Sequence, residues 1–306
     1  MTVRATNEPF FFAPLVRGGP SVVAIGGGHG LARTLGALRR YAGEITAVVS
    51  VADDGGSSGR LREAFGIPAP GDIRRCIGAL LPGRSPLGEA LEYRFKQGEL
   101  GGHAFGNLFL AALAAMTGDF VSGVAECCAV LETVGAVVPA TADPVVLKAT
   151  VDGAEMRGQA RIKMTAGVTS VALVPDDAPV PKAAVAALER ADQIVIGPGS
   201  LYTSILAALA PRPIAAAIAR SDAVRIYVCN LREQVPETSG YDVTDHVAAL
   251  VSHGITPDSV VCDSSALALS AIPDHMRVVD RTLSDASGTA HDEDLLAEAL
   301  LDAART

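Results

Sequence analysis

Residues 21–30 read SVVAIGGGHG, a short run of apolar residues that stops at a cluster of glycines. An amphipathic helical pattern follows from Leu31 to Tyr41, and a second apolar run, ITAVVSV, occupies residues 45–51. Runs that are apolar on both faces are typical of strands in parallel sheets, because helices cover both sides of such sheets. Strand, glycine turn, helix and strand in this order predict a βαβ unit.

The same pattern returns in the second half of the chain. The apolar run QIVI at 193–196 ends at a glycine turn, and VRIYV at 224–228 ends at Cys229-Asn230. Between the halves, residues 72–134 have a mostly helical pattern. Shorter alternating runs at 145–150, 157–164 and 169–174 predict a small antiparallel insertion. We therefore predict an α/β fold with a doubly wound, mostly parallel sheet and a central insertion.

The composition excludes several classes of protein. Hydrophobic residues make up 49% of the 306 residues and charged residues 19%, which excludes a disordered chain. The net charge of -9 has the wrong sign for binding a nucleic-acid backbone, so we expect no nucleic-acid partner. The five cysteines show no CxxC spacing and are expected to be buried, reduced thiols. No stretch approaches ~20 apolar residues, so we expect no membrane insertion and a cytoplasmic protein.

The first candidate loop is Gly26-Gly27-Gly28-His29-Gly30, between the first strand and the first helix. It is not a dinucleotide fingerprint, because position 31 is leucine, and it is not a P-loop, because no Gly-Lys-Ser/Thr follows. Backbone N–H groups at such turns bind phosphate, so the glycines predict a phosphate loop of a non-standard kind. The alternative is a tight turn without a ligand, in which His29 is simply exposed.

The second candidate loop is Asp53-Asp54-Gly55-Gly56-Ser57-Ser58-Gly59-Arg60, after the second strand. Two adjacent carboxylates repel each other, and a cation or a hydroxyl-rich ligand relieves this repulsion. Asp53 and Asp54 are therefore candidates for holding a ribose or a magnesium ion. The serines provide donors, and Arg60 provides charge for a phosphate. The alternative is an acidic turn followed by a mobile loop.

Two further stretches open helices in the middle of the chain. In PAPGDIRR at 68–75, we expect Asp72 to cap the helix that follows. In GGHAFGN at 101–107, His103 and Asn107 are four residues apart and share a face if that stretch is helical. Such a pair is weak evidence for a site, and a structural role is an equal alternative.

The last candidate loop is Gly197-Pro198-Gly199-Ser200-Leu201-Tyr202, after the strand at 193–196. Gly199, Ser200 and the amides of the first helical turn predict an anion site, which the helix dipole favours. Tyr202 is a candidate for stacking on a base, with simple packing as the alternative. No Ser-His-Asp arrangement, HExxH or paired-cysteine site is present in the sequence, so we assign no catalytic residue. The sequence favours phosphate and ribose binding over catalysis.

Six stretches, in this order, resemble the gluconeogenesis factor family, the YvcK-like proteins whose mycobacterial members are called CuvA. They are AIGGGHGLARTL (24–35), ITAVVSVADDGGSSGRLR (45–62), PAPGDIRRCI (68–77), GGHAFGNLFLAAL (101–113), IVIGPGSLYTSI (194–205) and IYVCNLREQVPETSGYDVTDHV (226–247). The resemblance extends from about residue 22 to residue 254. The family belongs to a wider CofD-like superfamily with the 2-phospho-L-lactate transferase.

The resemblance implies a Rossmann-like, three-layer fold. From the residues themselves we predict a loose arm at 1–20 and a single domain at 21–306, with a mixed α+β insertion around 140–180. The resemblance also implies a cytoplasmic protein that binds UDP-N-acetylglucosamine or a related nucleotide sugar. Such proteins are needed for normal cell shape and peptidoglycan synthesis during growth on gluconeogenic carbon, without an established reaction.

On this interpretation the candidate loops surround one ligand. The loops at 26–30 and 197–200 would hold the diphosphate, Asp53 or Asp54 would contact the ribose or a metal, and Arg60 would close over the ligand. Asn107 would contact a sugar or a base. Asn230 completes the set of candidate ligand-binding residues at the strand ends.

The alternative function is that of the transferase relatives, which use magnesium to move a phospholactyl group from a guanosine diphosphate carrier to a deazaflavin. They share an acidic pair and the GHxxGN element, present here as Gly102, His103, Gly106 and Asn107. The DGGSSGR extension at 54–60 favours the UDP-sugar branch. Mg²⁺ at Asp53 and Asp54 is the cofactor considered, and a scaffold without nucleotide affinity and a homodimer remain open.

Overall fold

The computed structural model describes residues 15–83 and 85–305, so the first fourteen residues of the predicted arm lie outside the described part of the chain. The β-strands in this part are β1 (Ser21–Gly26), β2 (Glu44–Val49), β3 (Ala136–Pro139), β4 (Val146–Val151), β5 (Ala154–Arg157), β6 (Val168–Val174), β7 (Gln193–Ile196), β8 (Val224–Val228), β9 (Ser259–Cys262) and β10 (Arg277–Asp280).

The helices connect these strands. They are α1 (Gly28–Leu38), α2 (Gly56–Phe65), α3 (Gly71–Ala79), α4 (Pro86–Glu92), α5 (Phe105–Thr117), α6 (Phe120–Val130), α7 (Gln159–Lys163), α8 (Lys182–Arg190), a π-helix (Leu201–Leu206) that continues as α9 (Ala207–Leu209), α10 (Arg212–Arg220), α11 (Val243–Ser252) and α12 (Glu293–Ala303). Helix α1 packs between α3 and α12, and α8 packs against α10 and against β1, β2 and β3.

Seven of the strands form one parallel sheet in the order β10-β9-β8-β7-β1-β2-β3. The chain winds from β1 towards β3 in its first half and from β7 towards β10 in its second half. The winding direction therefore reverses between β1 and β7. This order, with helices flanking the sheet, confirms the predicted Rossmann-like, doubly wound fold.

Strand β1 is a buried interior strand of the sheet, next to the middle strand β7. Its residues Val22, Val23, Ala24 and Ile25 are 0–1% exposed. Complete burial of each valine or isoleucine side chain contributes roughly 1.5–3 kcal/mol. Ile25 pairs with Ile196 of β7, so the two strands end side by side and their following loops leave the sheet together.

A separate three-stranded antiparallel sheet has the order β5-β4-β6 and lies within the predicted insertion. Strand β4 alternates between buried and half-buried positions, as the alternating sequence predicts. The prediction of a strand at 157–164 is wrong, because only residue 157 belongs to β5 and α7 occupies residues 159–163. Short elements such as β3 and β10 were not predicted from sequence, since four residues carry too little periodic signal.

The helices of the described residues are short, and the longest, α5, has 13 residues. None of their helices is, by itself, long and apolar enough to cross a membrane. Two bent pairs, Phe105–Thr117 with Phe120–Val130 and Leu201–Leu209 with Arg212–Arg220, meet the criterion of length and composition when each pair is taken together. The five cysteines are all buried and free, as expected.

Candidate functional site

Two glycine loops meet where the winding of the sheet reverses. One follows β1 and opens α1, and the other follows β7 and opens the π-helix. A Cβ atom at Gly30 would lie 2.3 Å from the carbonyl oxygen of Pro198, so only glycine fits there without displacement of the backbone. In open α/β sheets, this crevice at the carboxyl ends of the strands is where ligands bind.

The second loop is fixed from both sides. Thr34 of α1 donates its hydroxyl hydrogen to the carbonyl oxygen of Gly197 at 2.9 Å. The Asn230 amide accepts from the N–H of Gly199 at 3.0 Å and donates to its carbonyl at 2.8 Å. Asn230, a candidate ligand-binding residue, therefore holds the loop in place, and it also lines the neighbouring cavity.

A cavity of about 310 Å³ lies against these loops. The residues that line it include 27–30 and 199–200 of the glycine loops, the acidic residues Asp53 and Asp72, and the basic residues Arg75 and Lys163. A second cavity of about 330 Å³ adjoins it and shares His29, Gly30, Gly199 and Gln234. The predicted loops at 26–30 and 197–200 are thus brought together around one cleft.

Asp72 is a member of this cleft that the sequence analysis assigned to another role. It was expected to cap α3, but Pro70 occupies the N-cap position and no capping bond from a side chain forms there among the described residues. The Asp72 carboxylate instead accepts a hydrogen bond from Arg75 at 2.6 Å. It lies so close to Gly27 that a Cβ atom on this residue would be 2.6 Å from Asp72 Oδ2. The glycine at 27 therefore makes room for a carboxylate from a distant helix.

The pKa of Asp72 is subject to opposing effects within the cleft. Burial raises the pKa of this carboxyl, Arg75 opposes that effect, and the nearby charge of Asp53 raises the pKa further. Asp53 accepts from the N–H of Gly55 at 3.0 Å and lines the same cavity. The acidic pair of the cleft is therefore Asp53 with Asp72, from two different elements.

Asp54 lies elsewhere, and its side chain is used by the insertion. Its two carboxylate oxygens accept the N–H groups of Gln159 at 2.9 Å and Ala160 at 2.8 Å, at the start of α7. It does not line the cavity that Asp53 lines. The predicted metal pair of Asp53 and Asp54 is not brought together, because a contact 105 residues along the chain takes the second carboxylate.

The serine and histidine candidates form a buried network beside the cleft. Ser57 Oγ lies 3.1 Å from His103 Nδ1 and accepts from the Asn107 amide at 3.0 Å, and Arg74 donates to Asn107 Oδ1 at 3.1 Å. Burial, together with the charges of Arg60 and Arg94, lowers the pKa of His103. Ser57, His103 and Asn107 are brought together, and Arg74 is the fourth member of their side-chain network.

The other residues of the loop at 53–60 are held by contacts with neighbouring parts of the protein. Gly55 is the N-cap of α2, and Ser58 is buried against Gly71. Arg60 donates to the carbonyl oxygen of Gly101 at 2.9 Å and does not line either cavity of the cleft. Its predicted closure over a ligand stays a prediction.

The start of the π-helix already holds a carboxylate, which the sequence analysis did not identify. Glu237 is 2% exposed and accepts the N–H groups of Tyr202 at 3.1 Å and Thr203 at 2.9 Å, together with the hydroxyl of Ser200. Two of the amides predicted to bind an anion therefore have an internal partner. Glu237 lies 34 residues from Thr203, and no local pattern in the sequence indicates this contact.

Packing is the observed role of the residues that follow this loop. Tyr202 is 3% exposed, and its hydroxyl lies 2.9 Å from that of Tyr241. Leu201 is completely buried. In this conformation the Tyr202 ring is not available for stacking on a base.

Histidines and arginines line the second cavity. Burial, with the charge of Arg75, lowers the pKa of His29. Burial lowers the pKa of His291 to about 4, and its Nε2 lies 3.2 Å from the carbonyl oxygen of Cys229. Arg33 and Arg232 also line this cavity. The first cavity thus combines two carboxylates with Arg75 and Lys163, and the second is lined by two arginines and two histidines.

A metal site formed entirely by protein side chains is not found in the described part of the chain. No group of three or more histidine, cysteine, aspartate or glutamate residues there is arranged to hold a metal ion. A cation held by Asp53 and Asp72 would therefore take its remaining ligands from water or from a bound molecule.

The fold and the cleft define the class of protein, a Rossmann-like α/β protein with a candidate ligand site at the switch point of its sheet. The chain belongs to the CofD family, because the family model described as 2-phospho-L-lactate transferase CofD matches residues 22–303. A relative from Nostoc sp. is 48% identical over 235 residues, which are 76% of this chain and 52% of the relative.

Two curated relatives support the resemblance seen in the sequence motifs. Gluconeogenesis factors from Halalkalibacterium halodurans and Bacillus subtilis are each 42% identical to this chain. The match with the first covers 79% of this chain and 77% of the relative, and the match with the second covers 76% of this chain and 75% of the relative. A crystal structure of a UPF0052 family member from Bacillus halodurans is similar with a TM-score of 0.85 and 34% identity. It covers 92% of this chain and 98% of that one. The chain thus spans about half the length of the Nostoc relative and three quarters of the other two.

Proposed function

We propose that this protein binds a UDP-sugar, such as UDP-N-acetylglucosamine, in the cleft between the two glycine loops. The observation that carries the proposal is their meeting at the switch point, where residues 27–30 and 199–200 line one cavity beside Asp53 and Asp72. The N–H groups at the start of α1 suit a diphosphate, and a strand-end carboxylate such as Asp53 suits a ribose hydroxyl.

The two cavities together suit an elongated ligand. They adjoin through His29, Gly30, Gly199 and Gln234 and have volumes of about 310 and 330 Å³. Gln234 lines both cavities, and its side-chain oxygen is buried without a hydrogen-bond partner in the described structure. A sugar or nucleoside hydroxyl that donates to this oxygen would satisfy it.

The wider role that we propose is regulatory. A protein that binds a cell-wall precursor can link carbon metabolism to cell-wall synthesis and cell shape. Support comes from the names of the curated relatives, which are gluconeogenesis factors.

Calorimetric titration with UDP-N-acetylglucosamine, with and without magnesium, tests the proposal when the ligand is analysed for breakdown afterwards. Saturable binding with intact ligand is the expected result. No binding under either condition would contradict the proposal. Binding followed by breakdown would move the function to catalysis.

A magnesium-dependent transferase is the second candidate, favoured by the acidic pair in the cleft and by the description of the matching family model. Burial and the charge of Asp53 raise the pKa of Asp72, and a cation would relieve that repulsion. Mg²⁺ is often held by one or two carboxylates together with phosphate oxygens. Asp53 and Asp72 fit such an ion, which would neutralise charge on a bound diphosphate. Turnover of a nucleotide-linked donor would support this candidate if the turnover is lost when a chelator removes magnesium.

A further inference from the structure

The insertion contributes to the cleft through α7. This helix follows β5 of the small sheet and packs against the π-helix of the main sheet. Two of its residues, Gln159 and Lys163, line the cavity that the glycine loops also line. A segment from outside the main sheet therefore forms one wall of the proposed diphosphate site.

Lys163 differs from the other charged groups of this cavity. The Arg75 guanidinium is paired with Asp72 at 2.6 Å, and burial lowers the pKa of His29, which disfavours a charge on its ring. Lys163 makes no ion pair within 4.0 Å among the residues that the structure describes. Among the positively charged residues that line this cavity, Lys163 is therefore the one whose charge has no ion-pair partner within the described structure to compete with an incoming phosphate.

The position of α7 is set by Asp54. The carboxylate accepts the first two N–H groups of the helix, at 2.9 Å from Gln159 and 2.8 Å from Ala160. Gly158 precedes the helix with φ of +100°, and a Cβ there would lie 3.0 Å from Asp54 Oδ2. Glycine at 158 thus permits both the backbone conformation and the close approach of the carboxylate.

We propose that Lys163 binds the phosphate groups of the ligand and that Asp54 is the positioning residue that holds Lys163 at the cavity. The proposal rests on the proposed function, because it assumes a diphosphate in the cleft. It assigns the two adjacent aspartates different tasks: Asp53 faces the ligand, and Asp54 fastens the insertion to the strand end.

The test is calorimetric titration of the full chain with UDP-N-acetylglucosamine and, separately, with inorganic pyrophosphate. Lys163→Ala is expected to weaken both affinities about tenfold, because a charge-assisted hydrogen bond is lost. Lys163→Arg retains the charge and is expected to restore most of the affinity. Arg161→Ala is the matched control, since it removes the same charge from an exposed position on the same helix that does not line the cavity.

A double-mutant cycle tests the role of Asp54. Asp54→Ala is expected to weaken binding to a similar extent, and the Asp54→Ala, Lys163→Ala double variant is expected to bind no more weakly than Lys163→Ala alone. Hydrogen exchange at the amides of Gln159 and Ala160 is expected to accelerate in Asp54→Ala. Gly158→Ala displaces the carboxylate without removing it and is expected to act in the same direction.

The outcomes separate this proposal from the proposed function. Tight UDP-sugar binding that Lys163→Ala leaves unchanged overturns the role of Lys163 while the function stands. Additive effects of Asp54→Ala and Lys163→Ala overturn the positioning role. Pyrophosphate binding that depends on Lys163, without UDP-sugar binding, supports the phosphate site and contradicts the UDP-sugar. Binding of neither probe overturns both proposals.

Discussion

At the scale of the residue, the close packing around the cleft depends on glycines, because glycine has no Cβ atom. The chain places a carbonyl oxygen 2.3 Å from where a Cβ of Gly30 would lie and a carboxylate oxygen 2.6 Å from where one of Gly27 would lie. In the first case the neighbour is rigid backbone, and in the second it is a side chain that can move. The two positions therefore differ in their tolerance of alanine.

Gly30→Ala is expected to push the two glycine loops apart and to weaken binding of UDP-N-acetylglucosamine more than tenfold. The same clash is expected to lower the free energy of unfolding by about 1–3 kcal/mol. Titration calorimetry and denaturant unfolding measure the two effects. Gly78→Ala in α3 is the control, because a Cβ there meets its nearest neighbour at an ordinary 3.7 Å. Unchanged ligand affinity in folded Gly30→Ala would contradict this account of the loops.

His291 gives the chain a predictable loss of stability in acid. Its pKa is about 4 in the folded protein and 6.5 in the unfolded chain, so protonation favours unfolding. The stability that it contributes is complete above pH 6.5 and declines as the pH falls towards 4. Between pH 7 and pH 5, the free energy of unfolding is expected to fall by about 2 kcal/mol more than in His291→Gln. Denaturant titrations at both pH values measure this difference, and equal pH dependence of the two proteins would refute it.

At the scale of the element, the π-helix is stabilised by a buried carboxylate from another segment. Glu237 accepts two backbone N–H groups and the Ser200 hydroxyl while only 2% exposed. A negative charge at this position is favoured by the dipole of the helix that follows. The loop that leads into the helix is therefore held even when no anion is bound to it.

Glu237→Gln is expected to lower the free energy of unfolding by about 1–3 kcal/mol, because the amide replaces one charged acceptor by a donor. Denaturant unfolding measures the change. Glu189→Gln is the control, since its carboxylate is exposed and paired with Arg220, and its loss is expected to cost under about 1 kcal/mol. A neutral Glu237→Gln variant would show that the buried bonds are not needed for the fold.

The sequence predicts those elements whose signal is local. Strands β1, β7 and β8 are apolar runs that end at turns, and they form as expected. The helix α7 was predicted as a strand, because what stabilises it is the carboxylate of Asp54, 105 residues away. Asp72 and Glu237 were missed as site residues for the same physical reason. Their partners lie on other elements, and only the folded chain brings them together.

At the scale of the whole molecule, ligand binding at the switch point couples to global stability. The cleft is formed by the ends of β1 and β7, the two central strands that join the halves of the sheet. A ligand that binds the folded chain at a hundred times its Kd stabilises it by about 2.7 kcal/mol. For a chain of 306 residues, whose entropy of unfolding is about 0.6 kcal/mol/K, UDP-N-acetylglucosamine at that concentration is expected to raise Tm by roughly 4 °C. Differential scanning calorimetry measures this rise, and uridine, which lacks the phosphates, is expected to give little change.

The interior position of β1 also matters while the chain is being made. One of its neighbours, β2, is the next strand in the sequence. The other neighbour, β7, begins just after Asp192, whose carboxylate accepts the N–H of Ser21 from 171 residues earlier in the chain. At ordinary ribosomal speeds this interval is on the order of ten to thirty seconds. Throughout it, β1 presents an unpaired apolar edge that can join strands of other nascent chains. We therefore expect fragments that end before residue 193 to aggregate, and the full chain to depend on chaperones during synthesis.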